Sequence, residues 1–183
     1  MKKTNNNNIQ TIKDIVKALE EQPQKIKNDY KRRYNQELNN IIINMLDYVD
    51  LDGLEVEPSA NGFNRGTLCE NILKYHIYMY LEKCFNGLKS TTKTCDIDLR
   101  KCDSAILQEL GLKASTYEIK TLTKIANAHA SAHSNKNYII IDLKKYNCIM
   151  LVNSDNLVYD NSGHVTGYTK GTRLDLLTEL LGL

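Results

Sequence analysis

In the stretch 115-STYEIKTL-122, apolar Tyr117 and Ile119 alternate with charged Glu118 and Lys120. Alternation of this kind marks a half-buried strand, and side chains two apart share one of its faces. Glu118 and Lys120 therefore stand side by side. Upstream, 102-CDSAILQ-108 is separated from this strand by 109-ELGLKA-114, which holds a glycine. The two segments are expected to form a β-hairpin with a longer loop. With its turn near Leu110–Gly111, the hairpin brings Asp103 opposite Glu118. Carboxylates gathered on one face repel, and one must take up a proton unless a cation lies between them. A hard divalent ion such as Mg²⁺, or Mn²⁺, meets that need with oxygen ligands and retained waters. A lysine beside it orients or deprotonates the attacking water and stabilises charge on a phosphate. These are the parts of metal-assisted phosphodiester hydrolysis.

An acid on one strand followed by E-x-K on the next resembles the PD-(D/E)XK nuclease superfamily. The residues that carry the resemblance are 102-CD-103 and 118-EIK-120, across roughly residues 65–152. The family pattern often adds a glutamate on a preceding helix, and Glu70 in 65-RGTLCENILKYH-76 takes that place. It often adds a polar or basic residue on the helix after E-x-K, for which Lys124 and Asn127 are the candidates. Cys102 stands where the family usually has proline. Asp96 and Asp98, on another expected strand, are the alternatives for the first acid.

The resemblance implies a mixed α/β, restriction-endonuclease-like core, with a central mixed sheet flanked by helices. It implies Mg²⁺ held by Asp103, Glu118 and Glu70, with Lys120 completing the catalytic set. The expected activity is endonucleolytic cutting of nucleic acid, DNA ahead of RNA. Two alternatives remain open: a non-catalytic nucleic-acid-binding or assembly protein on the same fold, and a ribonuclease.

Around these residues the chain divides into three parts. Residues 1–8 are asparagine-rich, the composition of a disordered leader. Residues 9–50 show helical spacing of apolar positions, with a basic stretch, 25-KIKNDYKRRY-34, and an apolar one, 41-IIINMLDYV-49. Lys25, Lys27, Lys31, Arg32 and Arg33 form a candidate phosphate-binding face, a role open equally to a solvated helix face. The apolar stretch has two expected uses, against the core or against a second copy in a homodimer. Residues 51–183 form the α/β core, with a buried helix over 67–85 and strands near 93–99, 102–108, 115–121, 138–143, 146–152, 156–159 and 164–169. Helices are expected over 122–133 and 172–181.

Arg65, in 61-NGFNRG-66 just before the buried helix, and Lys124 are further candidate phosphate contacts. His129 and His133 are spaced as zinc-protease ligands are, but Ala130 replaces the glutamate that motif requires. His76 fits a hydrogen-bonded core histidine better than a ligand. A net charge of +2 gives no global field to attract nucleic acid, so binding would have to be local. Five cysteines, none in C-x-x-C spacing, read as reduced thiols of a cytoplasmic protein. Apolar runs such as 138-YIII-141 are too short to span a bilayer as a helix.

Overall fold

A computed structural model describes residues 39–45, 65–81, 95–124, 128–129 and 137–183. The leader, the basic stretch with Lys25, Lys27, Lys31, Arg32 and Arg33, and Asn127 and His133 lie outside the described residues. Helix α1 spans Arg65–Tyr80. Strand β1 (Ile97–Asp98), helix α2 (Ser104–Glu109) and strand β2 (Thr116–Leu122) follow. Then come β3 (Ala128–His129), β4 (Asn137–Asp142), β5 (Cys148–Asn153), β6 (Leu157–Tyr159), β7 (His164–Tyr168), β8 (Thr172–Arg173) and helix α3 (Asp175–Leu180).

The main sheet has five strands in the order β1-β2-β4-β5-β8. β2 and β4 are parallel, whereas β1–β2, β4–β5 and β5–β8 are antiparallel. The molecule is therefore mixed α/β with a mixed central sheet. A smaller antiparallel sheet, β3-β7-β6, accompanies it.

Alternation along the strands divides the core in two. One face of the main sheet carries Tyr117, Ile119, Ile139, Ile141 and Ile149, buried together with Leu68, Cys69, Ile72, Leu73 and Ile77 of α1. Cys69 lies so deep that burial pushes its thiol up to about 12, an inert core residue. The other face carries Leu122, Tyr138, Ile140 and Val152, which meet Leu157 and Val165 of the small sheet. Ile42 and Met45, in the helical segment 39–45, join the first cluster, so that part of the apolar stretch packs on the core. His76 is buried in α1 as expected. Its Nε2, however, has no hydrogen-bond partner among the described residues.

Three expected elements are corrected. Residues 102–108 are not a hairpin strand, because 104–109 form α2. Asp103 caps it, accepting the backbone N–H groups of Ala105 (2.8 Å) and Ile106 (3.3 Å), and Leu107 and Leu110 are buried beneath it. Gly111 closes the helix at φ 69°, with Gly111 N donating to Gln108 O and Leu112 N to Leu107 O. A Cβ at Gly111 would also meet Leu174 Cδ2 at 2.8 Å. A short helix with polar cap and glycine stop thus occupies a stretch that looks like strand and loop.

The helix expected over 122–133 is overturned where the chain is described. Leu122 ends β2, and Ala128 and His129 pair with Val165 and His164 of β7. Cross-strand pairing overrides the helix propensity of an alanine-rich run. His129 therefore lies on a strand and not on a helix. At the C-terminus the helix begins at Asp175 instead of Thr172, because Thr172 and Arg173 pair with Leu151 and Met150.

Candidate active site at the edge of the main sheet

Strand β1 is only two residues long, yet it fixes an acid. Its register, Ile97 with Tyr117 and Asp98 with Thr116, brings the preceding residue beside Glu118 and Ile119. Asp96 N donates to Tyr117 O at 3.1 Å, and Asp96 Oδ2 accepts the Ile119 N–H at 2.8 Å. The carboxylate takes the place of a backbone carbonyl at the end of the ladder and is pinned to β2.

Lys120 lies between two acids. Its Nζ is 2.7 Å from Glu118 Oε1 and 3.6 Å from Asp96 Oδ2. The side chains of Lys120 and Glu118 are only 12% and 5% exposed. Burial works to lower the Lys120 pKa, but the hydrogen bond it donates to Glu118 and the charges of Asp96, Glu118 and Glu70 outweigh it, and the net shift is upward. Lys120 is thus held as an ammonium.

Helix α1 contributes from the side. Gly66, Glu70 and Lys74 are four apart and share a helix face. Thr121 Oγ1 donates to Gly66 O at 3.2 Å, tying the first turn of α1 to β2. Lys74 Nζ reaches Asp96 Oδ1 at 3.6 Å. Glu70 is raised from 4.5 to about 7, first by burial; Asp96 and Glu118 add to the rise, while Lys120 and Lys74 oppose it. Three carboxylates and two ammonium groups thus act on one another, and burial pushes the one on the helix towards neutrality.

The structure brings Glu70, Glu118 and Lys120 together but leaves Asp103 out. The hairpin that would have set Asp103 opposite Glu118 is absent, and its carboxylate serves the exposed N-terminus of α2. Asp96, the upstream alternative, takes its place. Asp98 does not, because its carboxylate is bound by Arg100, with Nε 2.9 Å from Oδ1, and that guanidinium holds its pKa down. Lys74 was missed. Its signal was a second charge four residues after Glu70 in an otherwise apolar helix. Arg65 is the first residue of α1, and Lys124 lies exposed two residues past β2.

The donors suit a hard cation: carboxylate oxygens only, with one group whose burial makes its charge costly until a positive partner arrives. Glu70, Asp96 and Glu118 are the residues that would hold it. Among the described residues, however, no three His, Cys, Asp or Glu side chains are gathered closely enough to grip a metal. Lys120 supplies the positive charge between two of them.

Cap and site separate by mutation. Asp103→Ala should cost about 1 kcal/mol through the lost α2 cap, read as a small fall in the urea midpoint, with any cation-dependent activity unchanged. An activity loss comparable to that of an Asp96 variant would return Asp103 to the site.

Among the described residues, no helix is long and apolar enough to cross a membrane. No protein-family model, curated protein or solved structure matches this chain.

Proposed function

We propose that this chain is a metal-dependent nuclease of the PD-(D/E)XK type, on a restriction-endonuclease-like core, which hydrolyses phosphodiester bonds of nucleic acid, DNA ahead of RNA. One observation carries the reading: the ammonium of Lys120 lies between Glu118 and Asp96 at a sheet edge, with half-buried Glu70 on the preceding helix close enough to feel their charges. Glu70, Asp96 and Glu118 are the residues that would hold a divalent ion, which would supply Lewis-acid activation of the phosphate and of a water. Lys120, held protonated, hydrogen-bonds the attacking water and offsets charge that builds on the phosphate oxygens. It does not take the water's proton. Water oxygen bonds to phosphorus and gives up its proton to solvent, while the bridging P–O bond breaks and the departing oxygen takes a proton from solvent. Lys74 and the Ile119 N–H hold Asp96 in place.

A second reading is favoured by the ion pairs themselves. Acids already matched by Lys120 and Lys74 need no metal, so the same cluster suits a non-catalytic nucleic-acid-binding or assembly protein.

Incubation of plasmid, single-stranded DNA and RNA with Mg²⁺, Mn²⁺ or EDTA separates the two. The nuclease cuts only with a divalent ion, and Asp96→Asn loses about a hundredfold or more in rate. Binding without cutting under every condition selects the second reading. Cutting confined to RNA makes the protein a ribonuclease.

A further inference from the structure

The sheet face that carries Glu118 and Lys120 continues sideways into aromatic residues. Tyr138 of β4 is the register partner of Glu118 across the parallel β2–β4 pair, so the two side chains leave the same face as neighbours. Tyr138 is buried, at 3% exposure. Burial raises its phenol, and Tyr159, Glu118 and Asp96 add to the rise while Lys120 opposes it, so all four lie close enough to act on it. Tyr159 belongs to β6 of the small sheet. A bulge after Val158 pairs it with Val165, which is buried in the second core cluster beside Tyr138. Tyr159 therefore turns towards the acid-bearing face, yet it remains 46% exposed. A line runs along one face from the carboxylates and Lys120, through buried Tyr138, to an open phenol ring at the rim.

Resting on the nuclease reading, we propose that Tyr159 is a stacking platform for an unpaired nucleobase next to the phosphate held at Lys120. The substrate class this favours is single-stranded or frayed nucleic acid. Every base has a π-face that an aromatic ring can take up, whereas bases within a duplex are stacked on one another. Recognition of this kind is tolerant of sequence.

The test reads binding in EDTA, where cutting plays no part. Fluorescence anisotropy follows three labelled probes: a single-stranded oligodeoxythymidine, an abasic strand of equal length, and a duplex. The parent should bind oligodeoxythymidine more tightly than the abasic strand. Tyr159→Ala should lose about tenfold on oligodeoxythymidine and nothing on the abasic strand or the duplex. Tyr159→Phe should bind as the parent does, and thermal melts should show both variants folded. Equal binding of oligodeoxythymidine by the parent and Tyr159→Ala overturns the platform, as does an equal loss on all three probes. If the parent still cuts with Mg²⁺ in either case, the platform alone has failed. If the parent neither cuts nor binds any probe, the nuclease reading has failed and the platform goes with it.

Discussion

Lys120→Ala removes divalent-ion-dependent cutting, by about a thousandfold, and also destabilises the fold. On a solvent-facing strand the substitution would leave folding nearly untouched. Burial reverses that expectation. Lys120 is 12% exposed and its partner Glu118 only 5%, with 2.7 Å between Nζ and Oε1. Removing the ammonium leaves Glu118 as a buried charge without its main counterion, a loss on the order of 3 kcal/mol. Asp96 suffers less, because Lys74 remains at 3.6 Å and the Ile119 N–H still donates to it.

The two effects come apart in a double variant. Glu118→Gln/Lys120→Met replaces both charges with neutral side chains of similar length, and nothing charged is left stranded. Its urea midpoint should recover more than half of what Lys120→Ala lost, while cutting stays absent. A variant that regains stability without regaining activity shows that the loss of cutting is not a loss of fold, and places the Glu118–Lys120 pair in the chemistry. Matching urea midpoints for the parent and Lys120→Ala would deny the buried pair its structural role. Cutting retained within about tenfold would deny the catalytic one.

The E-x-K pair was legible because strand alternation is a local signal, although β2, Thr116–Leu122, is covered on both faces and not on one. The helix that carries Glu70 was legible for a similar reason, a charge inside an apolar run. What failed was the partner of that pair. Sequence distance favoured Asp103, the nearer acid, and a plausible loop made a hairpin of it. The chain instead spends Asp103 on capping α2 and returns to β2 with Asp96, whose strand is two residues long and carries almost no pattern. Its position is decided by long-range register, Ile97 against Tyr117, which composition does not encode. The alanine-rich run after Lys124 failed in the same way, since β3 exists through pairing with β7. Local propensity located the charges, but non-local pairing decided which of them meet.

Glu70→Gln should make the metal-free protein more stable above neutral pH and abolish part of its pH dependence. Glu70 is an acid whose pKa in the folded protein, about 7, exceeds the unfolded value near 4.5. Between those values the folded protein keeps a proton that the unfolded chain has released. Stability contributed by this group therefore falls as pH rises through the window, and is level above it. The full excursion is about 3 kcal/mol at 1.36 kcal/mol per pH unit. His76 works in the opposite sense, since burial lowers its pKa and stability is regained as it loses its proton. The difference between parent and variant cancels that contribution. In EDTA, urea unfolding at about pH 5 and about pH 8 should show the Gln variant gaining on the parent by up to about 3 kcal/mol across the interval. A bound divalent ion favours the ionised carboxylate. Mg²⁺ should therefore raise the melting temperature of the parent more at about pH 8 than at about pH 6, and the Gln variant should lose that contrast. A parent–variant difference that stays constant with pH would mean that Glu70 ionises like an ordinary surface acid, and the helix would then have no special carboxylate to offer the site.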